Sequence, residues 1–492
     1  MAGIKRLAKD TVIYGTSSIV GKFLNWLLVP YHTRLLDTTE YGFVIGLYSF
    51  TALSTVILTY GMETGFFRFA NKKEENPVAV YATSLVSVGF TSLLFIALVF
   101  MFISPIGSAL NFENYKNCLK IMAVTVAIDA FMSIPFAHLR YKNKPIRFLV
   151  IKLLFVFMNI LLNIFFLSIC PIIYKNQPEL IDWFYRPDFG VGYVFVANLL
   201  ATFTQLLFLS PYILKIKYTF DFSLLKRILK YSFPLLILGI AGIMTQTLDN
   251  ILLPYLFNGT FEEGQQQVGI YGACFKIAVV MAMFTQAFRF AYEPFIFAKN
   301  KGEDNKRVYS EVMKYFIIFA LFVFLGVMFY IDLVKYLVDS KYYEGIVVVP
   351  IVMAGMLFFG IYFNLSLWYK LTDNTKWGAI FSTTGFLVML LIMVVFVPIY
   401  GYIACAWASF FCNLVMMLMS YFLGQKYYPI NYGLKSIGRY FLVFAALYVA
   451  GMYVPIESEI LKLLYRTLLL GIFVFYAVKK DVPLSKLRLP QF

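Results

Sequence analysis

WGAIFSTTGFLVMLLIMVVFVPIYGYIACAWASFFCNLVMMLMSYFLGQ, running from Trp377 to Gln425, contains no charged residue, and Lys376 and Lys426 close it at either end. A helix that crosses the hydrocarbon core of a bilayer needs about 20 apolar residues, so this stretch is long enough for two crossings. Pro398-Ile399-Tyr400-Gly401 interrupts its middle with turn chemistry. The pattern predicts two spanning helices joined by a tight hairpin. Asn76 to Phe112 is a second run without charge. A spanning β-barrel alternates lipid-facing and lumen-facing residues with a period of two. These runs are apolar on both parities, so the expected fold class is all-α, a polytopic membrane protein.

Composition extends this reading to the whole chain. Of 492 residues, 61% are hydrophobic and 14% charged, with a mean hydropathy of +0.76. Soluble domains carry about 25% charged residues, so lipid is the expected solvent for most of this surface. The five cysteines, Cys118, Cys170, Cys274, Cys405 and Cys412, mostly lie in apolar runs and form no C-x-x-C pair, which predicts neither a disulfide framework nor a metal site. Lys5, Arg6 and Lys9 precede an apolar segment without an A-x-A-like cleavage site, read as a first spanning helix and not a cleaved signal.

Apolar runs predict fourteen helices, at 10–35, 41–68, 79–104, 117–139, 147–172, 189–214, 229–257, 268–291, 313–333, 346–369, 377–397, 401–424, 437–455 and 460–478. Basic residues set their orientation. Twenty-nine of the 42 lysines and arginines fall at the N-terminus, in the even-numbered loops or in the C-terminal tail, nine on the opposite side, and four within helices. The positive-inside rule then places both termini in the cytoplasm. The net charge of +16 is accounted for by this topology and by anionic headgroups, and nucleic acid is not an expected partner.

An internal repeat is visible. Leu24-Asn25-Trp26-Leu27-Leu28-Val29-Pro30-Tyr31 reads against Leu248-Asp249-Asn250-Ile251-Leu252-Leu253-Pro254-Tyr255, and Gly15 and Ile19 match Gly239 and Ile243 at the same offset. Tyr41-Gly42 then faces Val268-Gly269, and Glu63 faces Glu293. Six helices separate the copies, so the repeat is parallel, with its axis along the membrane normal. The chain divides into an N-lobe (1–220), a C-lobe (221–425) and a final helix pair with a tail (426–492), in which substrate is expected between rocking lobes.

Ionisable residues inside spanning helices are costly and normally face a cavity. Eight are found: Lys22, Glu63, Asp129, Lys152, Asp249, Lys276, Arg289 and Glu293. Thr11, Ser18, Lys22 and Asn25 share one face of the first helix, Lys152, Asn159 and Asn163 one face of the fifth, and Asn198, Thr202 and Gln205 one face of the sixth. Gln246, Asp249 and Asn250 sit together on the seventh. Any one amide is more simply interhelical packing glue; the set, spread over both lobes, predicts a hydrated cavity lined by Ser18, Asn25, Asn159, Asn163, Asn198, Gln205, Gln246 and Asn250. Lys22, Lys276, Arg289 and Lys152 could hold an anionic headgroup such as a diphosphate. Asp129 and Asp249, with Glu63 and Glu293, could bind a coupling H+ or Na+ or balance those cations.

No G-x-x-x-x-G-K-[ST] loop occurs, His32 and His138 lie near opposite helix ends, and no nucleophile–base constellation is visible. No catalytic residue, cofactor or enzyme activity is expected.

Lys5-Arg6-Leu7-Ala8-Lys9-Asp10-Thr11, the segment running into Pro30-Tyr31, and Glu40-Tyr41-Gly42 resemble the start of the polysaccharide-repeat-unit flippases, of the multidrug/oligosaccharidyl-lipid/polysaccharide exporter superfamily. The resemblance implies twelve helices in two related lobes plus a final pair. It also implies transfer of a polyprenyl-diphosphate-linked oligosaccharide across the bacterial cytoplasmic membrane, with contact to a polysaccharide polymerase and a monomeric state as further expectations. The family's cationic cavity residues on the first and eighth helices match Lys22 and Lys276 by position; members often use arginine there. Three other readings compete: a cation-coupled multidrug exporter of the same superfamily, a peptidoglycan-precursor flippase, and a membrane-embedded polymerase or transferase. The deep lysines weigh against the first, and the missing acid/base pair weighs against the last.

Overall fold

The computed structural model describes residues 20–21, 23–24, 26–216, 218–298, 304–372 and 374–481, with the backbone alone at 291, 293–298, 304 and 305. Every regular element among them is helical. The principal helices are α1 (Leu28–Leu35), α2 (Thr38–Thr59), α3 (Met62–Ala70), α4 (Pro77–Met101), α5 (Lys116–Tyr141), α6 (Pro145–Ile164), α7 (Gly192–Leu214) and α8 (Phe222–Leu256). They continue with α9 (Phe261–Ala298), α10 (Asp304–Phe329), α11 (Val348–Leu365), α12 (Lys376–Tyr400), α13 (Tyr402–Tyr427), α14 (Leu434–Tyr453) and α15 (Glu459–Lys480). Thirteen spans among the described residues are long and apolar enough to cross a membrane. Of the expected first span, 10–35, residues 10–19, 22 and 25 lie outside the described residues, and α1 is its end. Helices are forced here because lipid offers no partner for backbone N–H and C=O groups.

Side-chain chemistry fixes the helix starts. Before α2, Asp37 Oδ1 accepts from the Glu40 N–H at 2.7 Å, and the Glu40 carboxylate accepts from the Asp37 N–H at 3.1 Å, a capping box. Asn76 caps α4 ahead of Pro77, and Asp221 caps α8 by accepting from Leu224 N–H. The hairpin expected at 398–401 is present: α12 ends at Tyr400, α13 starts at Tyr402, and Gly401 between them has φ +55°, a conformation glycine adopts without steric cost.

Four helices differ from expectation. The second is broken: Tyr60 and Gly61 both have positive φ, +33° and +70°. The break re-aims α3 onto α8, where Gly61 and Gly65 leave room for Ser232 and Ile228. The fifth continues past Ile164 through a π-helical turn, Phe165–Ile169, into Cys170–Asn176. The seventh and eighth begin about two turns early, because Lys226, Arg227, Lys230, Glu262 and Glu263 lie on helix and not in loop.

The chain forms two compact units, Met1–Gly272 with Leu390–Cys405, and Ala273–Met389 with Ala406–Phe492. In the first, α2 meets the start of α9. A Cβ on Gly42 would collide with the Gln265 carbonyl, and a Cβ on Gly269 with the Thr38 carbonyl. Positions 38 and 42 become 265 and 269 at one offset, so each helix presents the same two sites to the other. This is the reciprocal contact of a twofold-related repeat. Ile45 against Gly272 follows the same offset.

In the second unit, α14 and α15 are fastened to α10 at both ends. Arg466, 5% exposed, donates to the carbonyls of Gly451 and Phe329 and to Asp332. Lys462 adds a second cation to Asp332 at 2.7 Å. At the other end, Asp481 accepts from Lys314 at 2.8 Å and from the Tyr440 hydroxyl at 2.7 Å, while the Tyr315 hydroxyl donates to the Asp481 carbonyl. Burial alone would raise both carboxyls. Lys462 and Arg466 at Asp332, and Lys314 and Tyr440 at Asp481, outweigh it and hold both below the usual carboxylate range.

Candidate functional site

Ser18, Lys22 and Asn25 lie outside the described residues, as does the side chain of Glu293. The other expected residues fall into three groups, two in the first unit and one in the second.

The first group joins α3, α5 and α6. Glu63, one turn after the break at Gly61, forms an ion pair with Arg140 in the last turn of α5. Arg140 also lies over the Phe67 ring, 5.1 Å from its centroid. Eleven positions earlier on α5, Asp129 is half-buried and interacts electrostatically with Lys152 of α6, whose Nζ stands 4.1 Å from the centroid of the Phe136 ring. Acids and bases therefore alternate along this wall. Each charge lies within the field of an opposite one, the arrangement that makes intramembrane ionisable groups tolerable.

A second group surrounds the Gly42–Gly269 crossing. Asp249 of α8 is 2% exposed; one carboxylate oxygen accepts from the Tyr271 hydroxyl at 2.8 Å and the other from the Asn250 N–H at 2.9 Å. Two buried carbonyl oxygens, Asn250 Oδ1 and Gln265 Oε1, have no hydrogen-bond partner. A Cβ on Gly46 would lie 3.6 Å from Gln265 Oε1 and 3.9 Å from the Asn250 backbone carbonyl. A buried carboxylate beside orphaned acceptors can receive a proton or a small cation. Gln246, by contrast, is exposed and donates to the Gly242 carbonyl of its own helix.

In the expected stripes on the fifth and sixth helices, Asn159, Asn163 and Gln205 spend polar atoms on protein, whereas the buried Thr202 hydroxyl has no hydrogen-bond partner. Asn163 Oδ1 accepts from His32 Nε2 at 2.8 Å, and its amide nitrogen donates to the Asn159 carbonyl at 2.7 Å. Both asparagines are buried. Gln205 is buried and donates to the Ile151 carbonyl at 3.5 Å, joining α7 to α6. Asn198 is half-buried on α7. The His32–Asn163 and Gln205–Ile151 bonds are interhelical contacts of the packing kind, and the Asn163–Asn159 bond stays within α6.

The third group lies in the second unit. Lys276 is half-buried on α9. Three turns on, Arg289 is exposed, with its guanidinium carbon 4.1 Å from the centroid of the Phe363 ring on α11. Lys370, in the short helix Leu367–Leu371 that follows α11, places Nζ 4.3 Å from the same centroid. Gly360 makes this possible: a Cβ there would meet Phe316 and the Thr285 hydroxyl. The two helices thus approach one turn before Arg289 and Phe363.

Sequence reasoning missed Tyr271, Phe363, Arg140 and Lys370. The last two were counted as topology-setting bases. One signal was present: the offset of 230 that carries Glu63 to Glu293 also carries Arg140 to Lys370.

Comparison with solved structures shows the fold. The chain is similar to the lipid II flippase MurJ in an inward closed conformation, with a TM-score of 0.75 and 15% identity over 96% of this chain and 98% of that one. It is also similar to an inward-facing multidrug resistance MATE transporter of the MOP superfamily, with a TM-score of 0.62 and 14% identity over 85% of this chain and 94% of that one. A MATE structure in complex with MaD3S gives a TM-score of 0.58 at 16% identity, covering 87% and 98%. Among curated proteins, comparison by sequence finds no match. A family model described as polysaccharide biosynthesis protein matches residues 7–296, more than half of the chain. This multi-pass membrane protein belongs to that polysaccharide biosynthesis family.

Proposed function

We propose that this chain flips a polyprenyl-diphosphate-linked oligosaccharide repeat unit across the bacterial cytoplasmic membrane by alternating access, supplying surface polysaccharide synthesis. The family match over residues 7–296 carries the reading, and the flippase named among its structural neighbours supports it. Lys22, Lys276, Arg289 and Lys152 supply positive charge for the diphosphate, with lysine acting as a point charge and arginine as a bidentate donor. Asp249 and Asp129 are the candidate carriers of a coupling Na+ or H+, and Glu63 balances Arg140. Both termini face the cytoplasm. The chain acts as a monomer, without enzymatic activity of its own, and hands its cargo to a polysaccharide polymerase.

The test is deletion of the gene in its own host, followed by extraction of lipid-linked oligosaccharides. The expected result is accumulation of a complete lipid-linked repeat unit with loss of surface polysaccharide. A normal lipid pool together with raised sensitivity to cationic compounds would overturn the proposal in favour of a multidrug exporter. Accumulated peptidoglycan precursor would redirect it to that cargo. In the restored strain, Asp249→Asn should blunt the Na+ or pH dependence of transport; an unchanged ion response makes Asp249 a structural residue.

A further inference from the structure

α14 buries one face and leaves another open. Tyr440 is fully buried against Phe473 and Tyr476 of α15, and Phe444 and Tyr448 meet Phe324 of α10. Lys435, Gly438, Arg439 and Leu442, at i, i+3, i+4 and i+7, are exposed together. Two cavities lie along them. One, of about 850 Å³, is bounded by Tyr421, Gln425, Ser436 and the turn at 429–433. The other, of about 910 Å³, runs along Gly438, Phe441, Leu442, Phe444 and Ala445. Lys435 and Arg439 line both. The two cations therefore stand where a chamber lined by amide and hydroxyl groups passes into one lined by hydrocarbon.

The walls are held by the protein's own bonds. Gln425 donates to the Ile430 carbonyl at 2.7 Å, Ser310 of α10 donates to the Asn431 carbonyl at 2.7 Å, and Asn431 Oδ1 accepts from the Gly433 N–H at 3.1 Å. Arg439 donates to the Lys435 carbonyl at 3.3 Å. The acids of the second unit pair instead with Arg307, Lys314, Lys335, Lys462 and Arg466 among the described residues. A Cβ on Gly438 would meet nothing within 4 Å, so the floor of the groove is open there.

Position and charge select the occupant. α14 spans the membrane from Leu434 to Tyr453. Lys435 thus stands at headgroup level, and Leu442 lies about 12 Å further along the helix, towards the hydrocarbon. An occupant needs an anion at the end of the span and an apolar chain reaching inward. Residues 482–492 carry Lys486 and Arg488 and no acidic side chain, and a second copy of α14 would bring the same two cations to the contact. Like charge disfavours both. A phospholipid with a net negative headgroup meets both needs: its phosphate pairs with guanidinium and ammonium, and its chain lies on Phe441 and Leu442.

We propose that the groove from Lys435 to Ala445 on α14 is a binding site for an anionic phospholipid, with Lys435 and Arg439 holding the phosphate. The site goes beyond the flippase reading and does not depend on the cargo.

The experiment is native mass spectrometry of the full chain released from nanodiscs that mix phosphatidylcholine and phosphatidylglycerol equally, with melting on addition of either lipid as a second readout. Wild type should retain phosphatidylglycerol in preference to phosphatidylcholine and melt higher with it. Each cation at headgroup level contributes roughly fivefold, so Lys435→Ala with Arg439→Ala should weaken retention on the order of 30-fold. Gly438→Leu fills the groove without changing charge and should weaken retention as well, whereas Lys435→Arg should keep it. Lys226→Ala, exposed on α8 and outside both cavities, should leave retention unchanged. Melting in phosphatidylcholine alone reports whether each variant is folded, and Gly438→Met replaces Gly438→Leu if the latter is not. An absent preference in wild type overturns the site, as does a loss in Lys226→Ala equal to that in Lys435→Ala. Wild-type retention by the filled groove overturns it too, because charge alone would then suffice. Inorganic phosphate that raises melting as much as phosphatidylglycerol does would show an anion site without a lipid, and sinks the proposal.

Discussion

The same two helix ends of each repeat carry an acid and a base, and the second half adds a cation and a ring. In the first half, Glu63 and Arg140 form an ion pair between α3 and the last turn of α5. In the second half, Lys370 stands at the position of Arg140, but Arg289 and Phe363 occupy the places of Thr59 and Ser133 at the same offset of 230. Thr59 and Ser133 turn their hydroxyls back onto carbonyls of their own helices. Arg289 and Phe363 instead join with Lys370 into a site holding two cations. Duplication preserved the frame, down to the reciprocal approach of Gly42 and Gly269. Glu63 and Arg140 have counterparts in Glu293 and Lys370 at the same offset of 230, and what diverged is the addition of Arg289 and Phe363.

Two substitutions probe the shared frame and should have the largest effect. Gly42→Leu and Gly269→Leu each drive a side chain into a backbone carbonyl of the opposite helix. Overpacking costs about 1–3 kcal/mol where side chains can yield, and a backbone carbonyl yields less. Both variants should lose most monodisperse protein on size exclusion, and by similar amounts. A clear difference between them would break the twofold reading of this contact.

Arg289→Glu removes the cation that the second half adds at the place of Thr59 and puts an acid on the ring that Lys370 shares. Bonds to charged groups contribute about 1.5–3 kcal/mol each, so transport in reconstituted vesicles should fall on the order of 100-fold while melting temperature holds. Full transport by Arg289→Glu would erase the functional contrast between the two ends.

The spans were legible in the sequence because lipid leaves little choice: a charge-free run such as Trp377–Gln425 with Pro398 and Gly401 at its centre folds as a hairpin. The repeat was legible from Pro-Tyr, Gly and Glu in register; that the equivalent Gly42 and Gly269 also approach one another in space was not. The break at Tyr60-Gly61 was not, because it depends on Ser232 and Ile228, about 170 residues away in sequence. Nor was the partner of Asn163: a stripe of amides reads alike whether it lines water or meets His32. Arg140 and Lys370 were hidden by their own explanation, since a base at a helix end already satisfies the topology rule.

Asp332 is a charge with no role beyond fastening, and it calibrates what pairing alone contributes. Asp332→Asn leaves buried Arg466 its two carbonyls but removes the carboxylate, costing about 2 kcal/mol. This should appear as faster proteolysis between α14 and α15. Because Lys462 and Arg466 hold the Asp332 carboxyl low, its contribution is fully present above the usual aspartate pKa, near about 4. It is lost as pH falls through the lower folded value. Protection should therefore be flat from about pH 8 to 5 and decline only below about 4; a decline near neutral pH would place the fastening elsewhere.

Glu63→Gln should have the smallest effect and bears most directly on the contrast. Side chains of Glu63 and Arg140 are 40% and 34% exposed, so solvent screens the pair and its loss should cost no more than about 1 kcal/mol. If the first half merely closes itself, Glu63→Gln transports nearly as wild type and melts slightly lower. Should it instead bind geranylgeranyl diphosphate more tightly than wild type, the released Arg140 would act as a further diphosphate cation, and Glu63 would be the group that masks it.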